Sequence, residues 1–107
     1  MKMFRQGDVL LVQVSEVPAD AAACNVDGDV ILAYGEATGH AHWLKADTVK
    51  PLAKGGVWEP SAERFIQALE GATLRHEEHA PIEIPPGNYR VVQQVEYTPE
   101  AIRNVAD

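Results

Sequence analysis

The sequence predicts an all-β fold, a small antiparallel barrel or sandwich with a short C-terminal helix. Three observations lead there. Short β-favourable segments recur along the chain, and turn signals separate them roughly every 8 to 12 residues. A Pro85-Pro86-Gly87 turn precedes one of the two clearest strands. No internal repeat, heptad or linker interrupts the series.

Val9 to Val14, opened by Gly7-Asp8, reads as a mostly buried first strand. Glu16 to Gly28 carries Pro18, four alanines, Asn25, Asp27 and Gly28, and its local preferences predict a loop ending in a turn. Val30 to Tyr34 is a second strand closed by Gly35, and His40 to Leu44 alternates like a half-exposed third. Thr48 to Lys50 and Val57-Trp58 read as short strands separated by Pro51 and Gly55-Gly56. From Pro60 to Gly71 two templates compete. Ala62, Phe65, Ile66 and Leu69 match a helical period behind a Ser61 N-cap, whereas Arg64 to Leu69 has strand length and strand neighbours. We favour the strand. Asn88 to Tyr97 is the clearest strand after the first, and Thr98-Pro99-Glu100 supplies the cap, N1 proline and early acid of a terminal helix. Its apolar face would be Ala101, Ile102, Val105 and Ala106.

A chain of 107 residues is one domain's worth, 1–107. With 46% hydrophobic and 23% charged residues it has an ordinary globular composition, and it should bury roughly 65% of its unfolded surface. Disorder is excluded by composition. Nine basic against sixteen acidic side chains leave a net charge of −7, which argues against nucleic-acid binding by bulk charge. The single cysteine, Cys24, permits no intramolecular disulfide and fits a reducing compartment. Val9-Leu10-Leu11-Val12, the longest apolar run near the start, is too short for a signal segment or a membrane span. We therefore expect a cytoplasmic protein, complete from Met1, with no membrane partner.

All four histidines fall in two tight pairs, His40 and His42 in Gly-His-Ala-His and His76 and His79 in His-Glu-Glu-His. Residues i and i+2 of a strand share one face, about 6.6 Å apart along the chain, so His40 and His42 could converge on one ion. Gly39 before the pair permits close backbone approach. On a flat strand His76 and Glu78 share one face while Glu77 and His79 share the other; a bulge would turn both histidines inward. The ligand set is therefore four histidines, or three with a carboxylate from Glu77 or Glu78. Both suit a divalent metal, zinc first, with iron, manganese, nickel or copper as alternatives. The two pairs, more than thirty positions apart, are expected to meet in space.

If the site is catalytic, metal-activated water chemistry such as hydrolysis is the natural choice, with Glu77 or Glu78 as proton carrier. Glu78, on His76's face, is the expected inward group. A closed four-histidine set would instead be a structural clamp. The rival from another class is a metal-free interaction module whose histidines and glutamates form a binding edge. A small molecule, a protein and a second copy of the chain remain open as partners. Cys24 reads as a filler, Trp43 and Trp58 as core or rim packing, and Arg5, Arg75 and Arg90 as surface charges.

The segments Arg5 to Val9, Gly35 to His42, His76 to Ile82, Pro86 to Val91 and Glu96-Tyr97 together resemble a group of small uncharacterised bacterial proteins to which no activity is assigned. The resemblance spans nearly the whole chain and implies no activity. Gly35, His40 and His42, with Pro85 and Gly87, also resemble the motifs of the cupins, which implies a small β-barrel. Asp47 stands where that family's first motif has a glutamate, no histidine follows Gly87 at the right distance, and His76 and His79 would have to take its part. The likeness concerns architecture alone.

Overall fold

The computed structural model describes residues 2–34, 39–97 and 102–104, with the backbone alone for 95–97 and 102–104. Among the described residues there are twelve strands and no helix. In chain order they are β1 (Met3–Gln6), β2 (Val9–Val14), β3 (Ala21–Ala23), β4 (Val30–Tyr34), β5 (Ala41–Leu44) and β6 (Val49–Lys54). Then come β7 (Arg64–Ala68), β8 (Ala72–Leu74), β9 (Ile82–Ile84), β10 (Gly87–Gln93), β11 (Val95–Tyr97) and β12 (Ile102–Asn104).

Six strands form one antiparallel sheet in the order β1-β2-β10-β7-β6-β3. Three hairpins, β4-β5, β8-β9 and β11-β12, stand outside it. Reciprocal backbone hydrogen bonds of 2.9 Å between Trp43 and Arg75 join β5 to the end of β8. The β4-β5 and β8-β9 hairpins thus face the large sheet as a second layer. Between the layers lie Val9 and Leu11 of β2, Leu32 and Leu44 of β4 and β5, Ile66 of β7, Leu74 of β8, and Tyr89 and Val91 of β10. Their spacing by two within β2 and β10 is the period a half-buried strand requires. The result is an open, sandwich-like all-β arrangement with β1 and β3 as free edges of the large sheet, not a closed barrel.

Gly7 and Asp8 form a two-residue loop between β1 and β2, with Gly7 at φ 58° and no positive φ at Asp8. That is the pattern of a type II′ hairpin turn, which needs glycine at its first central position. The tight turn holds Asp8 beside the last residue of β1. In the β4-β5 hairpin the register shifts between Ile31 and Ala33, so Leu32 bulges opposite His42 and Trp43. Leu32 and Ala33 are consequently both buried.

Arg64–Ala68 is a strand, as favoured over the helix. The structure departs from the sequence reading at five places. Met3–Gln6 pairs with β2 as an edge strand that sequence preference alone did not mark. Ala21–Ala23, expected to be loop, pairs with Leu52–Lys54 because the edge of β6 offers unpaired backbone groups. Pro51 does not divide two strands but lies within β6. Its carbonyl accepts from Cys24 N at 3.0 Å on the β3 side, where β3 ends, so its missing N–H breaks no ladder bond; Val57-Trp58 lies outside any strand. Finally, Ile102–Asn104, expected within a terminal helix, pairs as a strand with Val95–Tyr97. Thr98 to Ala101 and Val105 to Asp107 lie outside the described residues. No helix among the described residues is long and apolar enough to cross a membrane.

Leu11→Ala, at a position 0% exposed in the core, should cost about 2–5 kcal/mol in chemical denaturation. Leu69→Ala, 61% exposed just after β7, should change stability by less than about 0.5 kcal/mol. Equal losses at the two positions would contradict the assigned inner face.

Candidate functional site

The site is assembled where the β1-β2 turn, β5 and the segment after β8 meet. His42 continues the inward face of Leu44 on β5, and its side chain is fully enclosed. His76 follows Ala72 and Leu74 at the same period and is also buried. The chain then bends through 77–79 instead of continuing as a strand, which returns His79 to the same side. The imidazole centroids lie 4.3 Å apart for His42 and His76, 4.6 Å for His76 and His79, and 5.7 Å for His42 and His79. His40 stands at the rim, 5.7 Å from His76. All four histidines are thus neighbours.

Gln6 organises this cluster. Its amide nitrogen donates to Leu74 O at 3.1 Å and to Ala80 O at 2.9 Å. Both N–H groups are used, so Oε1 is left to face His42 Nδ1 at 2.9 Å. An amide oxygen can only accept, so Nδ1 carries the hydrogen. His42 Nε2 is thereby turned toward Asp8 Oδ1 at 3.3 Å, with the two side chains 0% and 1% exposed. Asp8 is held in turn: Oδ2 accepts from Gln93 Nε2 at 3.0 Å, and its carbonyl accepts from Gln94 N at 2.8 Å. A carboxylate oxygen and an imidazole nitrogen face to face in a dry interior call for positive charge between them. A second proton on His42 supplies it, and so does a metal cation.

The remaining imidazoles differ in state. His76 Nδ1 accepts the Glu78 backbone N–H at 3.0 Å, so a neutral His76 carries its hydrogen on Nε2. His79 Nε2 is buried with no hydrogen-bond partner among the described residues. Among the described residues, no group of three or more His, Cys, Asp or Glu side chains is arranged to hold a metal ion.

The bend at 77–79 reverses the facing expected for the two glutamates. Glu77, expected to point away, brings Oε1 within 2.8 Å of the Ala41 backbone N–H and ties the bend to the start of β5. Glu78, expected inward, has a side chain 64% exposed, with Oε1 3.7 Å from His40 Nδ1. His40 and Glu77 instead line an outer recess with Gly39 and Trp43. Gln6 and Asp8 were missed as site residues. The available signal was a pair of polar residues flanking a glycine immediately ahead of a buried strand, which reads locally as an ordinary solvated turn.

A family model described as Domain of unknown function (DUF8820) matches residues 5–94. Comparison with curated proteins and with solved structures found no match. The matched span contains Gln6, Asp8 and all four histidines.

Glu77→Ala should lower stability by about 1 kcal/mol, or about 4 °C in Tm, because it removes a carboxylate acceptor from a backbone N–H. Glu78→Ala, an exposed change, should stay within about 0.5 kcal/mol. Thermal melts of the two variants decide it, and a larger loss for Glu78→Ala would restore the flat-strand facing.

Proposed function

We propose a function for a chain that belongs to the DUF8820 family, described as a domain of unknown function: it is a small β-protein that binds one divalent metal ion, zinc first, as an internal clamp. The observation that carries this reading is the pair formed by His42 Nε2 and Asp8 Oδ1, 3.3 Å apart and enclosed. Two ligand atoms each about 2.0–2.1 Å from a tetrahedral zinc are themselves about 3.3 Å apart. The pair therefore has the spacing of two ligands on one ion. His79 Nε2, buried with no hydrogen-bond partner among the described residues, is the third donor proposed. His76 becomes the fourth by releasing the Glu78 N–H, since a ligating Nε2 must give up its hydrogen. His40, at the rim, serves as an alternative donor to His76.

Gln6 is then the group that orients a ligating histidine, the part that second-shell hydrogen bonds play at metal sites. The enclosure of His42 and Asp8 favours a clamp over hydrolysis, because metal-activated water needs an open coordination position. Glu77 and Glu78 are then not proton carriers: the first is spent on Ala41 and the second faces out.

A second reading has one observation in its favour, the lack of a gathered group of three donors among the described residues. In it the His42–Asp8 pair is closed by a proton and holds the β1-β2 turn to β5 without metal.

Untagged protein dialysed against zinc and then against buffer separates the two readings. The clamp predicts about one equivalent retained by elemental analysis and a Tm that rises with free zinc, since an ion at 100 times its Kd adds about 2.7 kcal/mol. His42→Ala and Asp8→Asn should each lose the retained zinc, and acidification should release it as protons compete for imidazole nitrogen. Zinc absent from the wild-type protein, with Tm unmoved, would leave the metal-free pair.

A further inference from the structure

A cleft of about 560 Å³ opens beside β4; it shares Ile31 and Tyr34 with the histidine recess and is walled further by Trp58, Arg64 and Gln93. Its size lies within the range of small-molecule sites. Arg64 is what sets it apart. It is the first residue of β7, on the inward face shared with Ile66 and Ala68, and is 3% exposed. Burial alone pushes its guanidinium below the usual arginine range. Among the described residues no carboxylate forms an ion pair with it and no hydrogen bond satisfies it. Its guanidinium lies over the face of Trp58, 5.0 Å from the ring centroid. Trp58 is itself fixed, donating Nε1–H to Ile31 O at 2.8 Å.

A buried guanidinium is a costly thing to leave without an anion. Its planar fork matches a carboxylate through two parallel hydrogen bonds. The indole under the guanidinium, with Tyr34 and Ile31, offers apolar and aromatic surface beside that fork. The rim carries the exposed carboxylates Asp27, Asp29 and Glu59, which would repel a doubly charged ligand. From the buried Arg64, unpaired among the described residues, in an aromatic-walled cleft, we propose that the protein binds a small organic monoanion there, an aromatic or apolar carboxylate whose charged end meets the Arg64 fork. Gln93 lines this cleft and donates to Asp8 at 3.0 Å, so an occupant would touch a residue that also holds the buried cluster. The cleft does not depend on a metal in that cluster.

Benzoate, benzamide and phenyl phosphate, titrated separately into 15N-labelled protein and followed by two-dimensional NMR, test the proposal. Benzoate should shift the Trp58 indole N–H and the backbone amides of Arg64 and Gln93 to saturation. Neutral benzamide should bind roughly tenfold more weakly or worse, for want of the charge-assisted pair, and dianionic phenyl phosphate should also fall below benzoate. Arg64→Met should weaken benzoate by a similar factor, and Arg64→Lys should retain part of the affinity. Benzoate binding no better than benzamide in the wild-type protein would overturn the proposal, and this comparison needs no variant to fold. Stronger binding of phenyl phosphate would overturn the assignment to a monoanion. Shifts confined to the His40 recess would place the ligand elsewhere and overturn the site.

Discussion

The amide of Gln6 makes three hydrogen bonds in three directions, and the arrangement of the site depends on them. Two go to carbonyls of the segment after β8 and one goes to His42 on β5. A neutral primary amide has two donors and an oxygen acceptor, so satisfying Leu74 O and Ala80 O leaves only one orientation for Oε1. That orientation selects the protonated nitrogen of His42 and turns the other nitrogen on Asp8. A buried polar network of this kind is costly when any member lacks its partner. The β1-β2 turn, β5 and the segment after β8 are therefore held to one relative placement by a side chain that carries no charge.

The placement joins parts of the chain that hydrophobic packing alone would leave free to slide. The β4-β5 and β8-β9 hairpins lie outside the ladder of the six-stranded sheet. They are coupled to each other by the two Trp43–Arg75 backbone bonds. Gln6 and Asp8, at the end of the β1-β2 hairpin, then fasten this second layer to the edge of the first. Glu77 adds a further tie by capping the Ala41 N–H. Gln93 extends the same network through Asp8 to the cleft that contains Arg64.

Much of this was legible in the residues themselves. β-favourable residues in 9–14, 30–34 and 88–97, with turn signals between short strands, announced the β class, and the histidine spacing announced that two distant pairs belong together. What escaped was set by tertiary contact. Alanine is a poor strand former, yet Ala21–Ala23 is recruited by the open edge of β6. Thr98-Pro99-Glu100 is a sound local helix start, but residues 102–104 find backbone partners in 95–97. Asp8 and Arg64 were invisible as site residues because a turn aspartate and a strand-end arginine ordinarily face water. The His76–His79 bend admitted both facings of the glutamates until the Ala41 contact chose one.

The central claim, that Gln6 dictates the proton position on His42, is open to direct observation. Long-range 15N–1H correlation of the imidazole rings in metal-free protein reports which nitrogen of each histidine carries hydrogen. The account predicts a protonated Nδ1 on His42, a hydrogen-free Nδ1 on His76, and loss of the His42 preference in Gln6→Ala. A His42 ring protonated on Nε2 alone, or unchanged in Gln6→Ala, would contradict it.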